Sequence, residues 1–102
     1  MLVSQAEVRV FYRPPVIRVK PGFARIWVRY ERSTIQQYGD PRSEIVLEEF
    51  DCGQKRNQYL QRSLYRDNNL AGFPVDGGAL GWSYTVPGTV DEQLARIACP
   101  LN

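Results

Sequence analysis

One segment of this 102-residue chain has the pattern of a helix, and it closes on a cysteine. Thr89 followed three residues later by Glu92 forms a capping box, and Val90, Leu94, Ile97 and Ala98 fall on one side of the helix that follows. Pro87 and Gly88 break whatever precedes it. Asp91 and Glu92 suit the positive end of the helix dipole, and Arg96 suits the negative end. Cys99 comes next, and Pro100 biases it out of the helical region, so the helix is expected to stop there. An amphipathic helix of about ten residues is unstable alone in water and needs a surface to lie on. The rest of the chain must offer that surface.

The second cysteine, Cys52, lies 47 positions before Cys99. That spacing fits neither a zinc site nor a C-x-x-C redox motif. Two readings are open: two buried thiols of a cytosolic protein, or one disulfide of an exported one. The disulfide is favoured, because Cys52 closes a strand-like run and Cys99 ends the helix, where a staple is useful. Closing a loop of that size contributes about 4 kcal/mol in the chain-entropy view, a large share of the net stability of a small core. On this reading the precursor carries a signal peptide that is not visible after Met1, and Met1 is an initiator ahead of the mature sequence.

The intervening residues alternate as strands do. Gln5 to Arg13 places Val8, Val10 and Tyr12 on one side and Glu7, Arg9, Phe11 and Arg13 on the other, and Pro14-Pro15 is expected to end it. Val16 to Lys20 is a short extended piece, either separate or a bulged or bent continuation of that strand, before the turn at Pro21-Gly22. In the next strand Ala24, Ile26, Val28 and Tyr30 alternate with Arg25, Trp27, Arg29 and Glu31, one face apolar and the other rich in Arg. Ser33 to Ser43 reads as an exposed loop. Glu44 to Cys52 is a strand with a conflict: if Cys52 faces the helix, Val46, Glu48 and Phe50 face it too. Either Glu48 lies at the rim of the sheet, or a bulge resets the register between Leu47 and Phe50. Gln58 to Arg66 follows, then a hairpin turn at Asp67-Asn68-Asn69 and an irregular edge strand, Leu70 to Val75. Asp76-Gly77-Gly78 turns the chain into Leu80 to Val86, with Trp82, Tyr84 and Val86 on one face. About six strands in hairpin order and then one helix predict a two-layer α+β fold: a predominantly antiparallel sheet with the helix on one face. No linker or internal repeat divides residues 1–102, so a single domain is expected.

This order of residues resembles the surface-adhesin protein E family. The resemblance runs from about Phe11 to Cys99 and is carried by Ile26-Trp27-Val28-Arg29, Phe50-Asp51-Cys52, Tyr65-Arg66-Asp67, Trp82, Pro87-Gly88-Thr89 and a helix ending Ala98-Cys99. It implies a sheet of about six strands with the C-terminal helix packed on its concave face and tied by a Cys52 to Cys99 disulfide. It also implies export from a Gram-negative bacterium, to the periplasm, the outer-membrane surface or the medium, and an adhesive function. The matching positions Trp27, Cys52, Trp82, Gly88 and Cys99 are structural, so no ligand-binding residue is carried over from the family.

Function classes can be narrowed from the residues. There is no histidine, which removes the usual general base and the commonest metal ligand. No nucleophile elbow, phosphate-binding glycine loop or metal-ligand cluster is present, so neither an enzyme nor a cofactor or metal is expected. A net charge of +2 is too small to indicate specific nucleic-acid binding. Eleven of the thirteen basic residues are Arg, many alternating with aromatic or β-branched residues. The candidate ligand-binding residues are accordingly Arg25, Trp27, Arg29 and Arg62, with Arg9 and Arg13 beside them, a set able to pair with and stack on a protein or an acidic glycan. The plain alternative is a solvated face whose arginines pair with Glu7, Glu31 and Glu44. Tyr30, Tyr38, Tyr59, Tyr65, Trp82 and Tyr84 are contact anchors or, more simply, strand filler. Glu48 and Glu49 are adjacent on a strand and point opposite ways, so they form no acid-base dyad. The expected function is an exported adhesin-like binding module, with membrane attachment only through a lipid anchor. The alternatives are a self-associating subunit of an envelope assembly and a periplasmic enzyme inhibitor.

Overall fold

The computed structural model of the chain describes residues 2–5, 8–34 and 37–99. Among the described residues seven strands precede one helix: β1 (Leu2–Gln5), β2 (Val8–Lys20), β3 (Phe23–Arg32), β4 (Ser43–Asp51), β5 (Arg56–Tyr65), β6 (Val75–Asp76), β7 (Leu80–Tyr84) and α1 (Val90–Ala98). The strand pairs are antiparallel, β1 to β6 are neighbours in chain order, and β7 joins β5 alongside β6. Glu7 and Pro100, invoked above as an ion-pair partner and a helix stop, lie outside the described residues.

The helix starts and stops where its sequence requires. Thr89 Oγ1 accepts the Glu92 N–H at 3.3 Å, while Glu92 Oε1 accepts the Gly88 N–H at 3.1 Å, one residue before the N-cap. The Cys99 N–H donates to the Ala95 carbonyl at 2.7 Å and caps the other end. Leu94 and Ala98 are buried, and Val90 and Ile97 pack at the border of the core. Cys52 and Cys99 form the disulfide, with Cα atoms 5.7 Å apart, and so tie the end of α1 to the residue after β4.

The alternation of β3 builds the core. Ala24, Ile26, Val28 and Tyr30 point to the helix side and meet Val10 from β2, Val46 and Phe50 from β4, and Leu94 and Ala98 from α1. Burying one large aliphatic or aromatic side chain is worth about 1.5–3 kcal/mol, so this short set and the disulfide carry most of what fixes α1. The residues between them on β3 point to the opposite, helix-free side, called the open face below.

Four expectations need correction. First, Leu2–Gln5 forms its own strand, which pairs with Val8–Phe11. Second, Pro14-Pro15 does not end β2. The strand runs on to Lys20, with a cis bond between the prolines and a register shift between Arg13 and Ile17. The reason is positional: adjacent N–H groups of a strand point opposite ways, so one proline faces the outer edge that β1 leaves unpaired beyond Phe11, and the other falls in the register break with β3, where neither proline has a partner. Third, Leu70 to Val75 is almost entirely loop, reduced to the two residues of β6. Asn69 and Leu70 take positive φ, and their N–H groups go to the Glu31 carboxylate and Ser43 Oγ instead of a neighbouring strand. Fourth, Glu48 is not at the rim. It is fully buried between Val46 and Phe50, and β4 alternates without a break. The register shift sits in the partner strand: Leu47 faces Gln61 and Glu48 faces Tyr59, so Leu60 of β5 is the extra residue.

Candidate functional site

On the open face the central row is Phe23, Arg25, Trp27, Arg29 and Glu31 of β3. Each is flanked by the residues its register dictates. Arg25 lies between Ile17 and Glu49, Trp27 between Arg13 and Leu47, and Arg29 between Phe11 and Ile45. Arg25 Nε donates to Glu49 Oε2 at 2.9 Å, and Gln58 Nε2 donates to the other oxygen of that carboxylate at 2.8 Å. The Arg29 guanidinium stacks on Phe11 at 4.5 Å and comes within 3.3 Å of Glu31, whose carboxylate also holds the Asn68 and Asn69 N–H groups. Farther along, Arg56 Nε donates to Asp51 Oδ2 at 2.9 Å and its guanidinium covers Trp82 at 4.5 Å. Trp82 meets Phe23 edge-on, and Lys20 Nζ sits 4.3 Å above the Phe23 ring.

This surface has a vertical order. The carboxylates of Glu31, Glu49 and Asp51 are all buried, each beneath or beside an arginine, whereas Arg25, Arg29 and Arg56 keep about a third of their side chains in solvent. Burial of the Asp51 carboxyl opposes ionisation, but the Arg56 guanidinium and the backbone N–H groups of Gln54 and Gly53 outweigh it and hold Asp51 below the usual carboxylate range. Acidic groups therefore anchor the arginines from within, and the face presents guanidinium and ring surfaces outward. From Val8 to Tyr30 the chain holds six cations and no acid, and the four on β2 (Arg9, Arg13, Arg18 and Lys20) form no ion pair among the described residues.

Arg25, Trp27 and Arg29 are thus brought together with Arg9 and Arg13, but Arg62 is not. It lies opposite Val46, on the helix-bearing side, where its Nη2 donates to the Gly77 carbonyl at 2.5 Å and its Nη1 comes within 3.9 Å of Glu44. Gly77 passes so close that a Cβ there would stand 3.1 Å from Arg62 Cβ and Leu64 Cγ, so Arg62 serves to hold the turn before β7. The bulge at Leu60 is what moves Arg62 to that side. Arg56 and Phe23 join the face without having been singled out; reading the alternation back from Gln58 would have found Arg56. Of the aromatic set, Tyr30 is buried, Trp82 is part of the stack, and Tyr38 and Tyr84 are exposed.

The helix-bearing side hides a different polar group. Tyr30 Oη donates to Glu48 Oε2 at 2.5 Å, and Glu48 Oε1 has no hydrogen-bond partner among the described residues. Burial raises Glu48 to about 8 against the opposing effect of the Tyr30 bond, with Asp91 and Glu44 adding to the rise. Burial also raises Tyr59 and Asp91, the latter despite a hydrogen bond to Asn57. A cleft of about 660 Å³ lies nearer the disulfide, between the β4–β5 turn and α1, and its lining includes Lys55, Arg96, Asp51 and Glu92. Among the described residues no cluster of three or more Cys, Asp or Glu could hold a metal ion.

Fold and face together define a disulfide-stapled, helix-on-sheet protein with a broad arginine-and-aromatic surface. Residues 1–100 match the family model of surface-adhesin protein E, and the chain belongs to that family. Membership points to a surface adhesin that engages an external ligand, to an exported or surface location, which the disulfide fits, and to a non-enzymatic function. No curated protein and no solved structure matches the chain.

Proposed function

We propose that this chain is a single adhesin-like binding module that holds a protein or acidic glycan ligand against its open face, through Arg25, Trp27 and Arg29 together with Arg13. The observation that supports this reading is the burial of Glu31, Glu49 and Asp51 beneath their arginines. Arg25, hydrogen-bonded to Glu49, and Arg29, lying against Glu31, are pre-oriented from within and spend little further side-chain entropy when a ligand carboxylate or sulfate meets their outer edges, while Arg13 adds a cation with no ion pair among the described residues. Trp27 supplies flat apolar area between Arg13 and Leu47. Arg62 has no part in this surface.

A solid-phase panel of extracellular-matrix proteins and heparin, read at two salt concentrations, tests the reading. Binding to at least one component, weaker at higher salt, is expected. Trp27→Ala and Arg13→Glu should each lower that binding about tenfold while leaving the urea midpoint within the range of an ordinary surface change. No binding to any component, or binding indifferent to both substitutions, would sink it.

A further inference from the structure

The open face borders an unusual strand end. β2 is 13 residues long, yet β1 pairs only with Val8 to Phe11, so beyond that point the outer edge of β2 has no neighbouring strand among the described residues. The prolines occupy Pro14 and Pro15, and of the five residues after them Ile17, Arg18 and Lys20 pair with β3, on one side only, with a register shift between Arg18 and Lys20. A sheet edge of this kind presents backbone N–H and C=O groups to any extended chain that approaches. Ile17 and Val19 are each 44% exposed, and Arg18 and Lys20 flank them in solvent.

We propose that Val16 to Lys20 is a strand-addition site for an extended acidic peptide segment of a protein ligand. This deepens the binding-module reading and rests on it. Charge selects the occupant. Arg13, Arg18 and Lys20 on this edge have no ion-pair partner among the described residues, and no acid occurs between Val8 and Tyr30. A second copy of β2 would bring those cations against one another, and like charges opposite across a strand pair are destabilising. A segment alternating Glu or Asp with Val or Ile meets the edge on both counts: with its acids on the helix-bearing side a carboxylate reaches Arg18, and its apolar residues then lie on the open face and cover Ile17. Backbone hydrogen bonds would supply affinity and the charges would supply selection. The prolines limit the register, since neither Pro14 nor Pro15 can donate to an added strand. Arg18 lies opposite Ala24, on the helix-bearing side, while Ile17 and Lys20 lie opposite Arg25 and Phe23, on the open face. The added strand would thus present residues to both sides and bring its open-face side chains beside Arg25.

The test uses a short capped peptide alternating Glu and Val, with two controls: the same peptide N-methylated at alternate residues, and a Lys and Val counterpart. Titration is followed by amide chemical shifts and by hydrogen exchange. The Glu and Val peptide is expected to saturate, with exchange at residues 16–20 slowed severalfold, while the N-methylated and basic peptides have no such effect. The double variant R18E with K20E, at exposed positions that leave the core intact, should weaken binding at least tenfold. Equal binding of the N-methylated peptide would reduce the interaction to charge alone and overturn strand addition. So would shifts confined to the open face, concentration-dependent self-association through this edge, or no binding at all. A heparin oligosaccharide, which has no peptide backbone to pair, is titrated into the same sample. If it shifts Arg25, Trp27 and Arg29 while the peptide fails, the edge inference falls and the face reading stands. If the peptide protects residues 16–20 and heparin and the matrix panel fail, the face reading falls alone.

Discussion

Replacing Glu48 with Gln isolates the buried carboxyl from everything else in the fold. In the folded protein burial lifts Glu48 from 4.5 to about 8. At about 1.4 kcal/mol per pH unit, that difference corresponds to about 5 kcal/mol. The folded state holds the proton more tightly than the unfolded chain, so this stability is fully present below about pH 4.5, falls as pH rises, and is gone above about pH 8. The groups facing Glu48 are Tyr30 from β3, Tyr59 from β5, Glu44 from its own strand and Asp91 from α1. Tyr30 and Tyr59 are raised and stay neutral through this window, and the raised Asp91 slopes in the same direction as Glu48. Glu48→Gln keeps the shape and an acceptor for the Tyr30 hydroxyl but cannot ionise. Its amide would leave N–H groups where Glu48 Oε1 now has no partner, at a cost of about 1 kcal/mol. The two stability curves should therefore cross: the wild type is equal or better near pH 4.5, and the variant is better by about 3 to 4 kcal/mol at pH 8.5. Urea denaturation of the oxidised proteins at pH steps between these values, with m compared at each step, measures this directly. Parallel curves, or a wild type that does not lose stability between pH 5 and 8, would refute the buried, protonated carboxyl.

Three further outcomes follow from the same contacts. Replacing both cysteines with Ala should lower stability in urea by about 4 kcal/mol and loosen α1, detected as faster amide exchange from Leu94 to Cys99. Leu94→Ala, at a fully buried position under the helix, should cost about 2–5 kcal/mol in the same assay without altering ligand binding by the open face. Asp51 is held below its usual range, so its contribution is present above about 3.8 and disappears as pH falls through the folded value. Asp51→Asn should accordingly be less stable than the wild type at neutral pH, and acid titration of both proteins should bring their stabilities together.

Much of this fold is legible in the sequence because local signals there agree with the tertiary result. The helix is marked by Thr89, Glu92 and the spacing of its apolar residues, and β3 by an alternation that burial reproduces from Ala24 to Tyr30. The errors share one cause: they concern what a strand's neighbour is doing. Whether Pro14-Pro15 ends a strand depends on whether a partner needs those N–H groups, which β1 decides by stopping at Phe11 and β3 by its register break between Arg13 and Ile17. The placing of Arg62 depends on the extra residue at Leu60, which no alternation within β5 announces. Glu48 could not be placed from β4 alone, because its burial is tolerated through Tyr30, a residue on the adjoining strand.

The net charge of +2 illustrates the same point at the level of the site. It is small because the 13 cations of the whole chain are offset by 11 acids, yet the acids of β4 and the cations of β2 do different work. Glu44, Glu49 and Asp51 are buried acceptors whose arginine partners come from β3 and β5, so removing one leaves a guanidinium without its anchor and disturbs the sheet. Arg13, Arg18 and Lys20 form no ion pair among the described residues, and reversing their charge should change stability little while changing what the edge attracts. Substitutions along β4 should therefore read out as stability, and substitutions along the far half of β2 as binding. A single strand, β3, joins the two regions, carrying core residues on one side and the row of Arg25, Trp27 and Arg29 on the other. Its one-residue register is what keeps the two roles apart, since a slip would bury the arginines and expose the core at once.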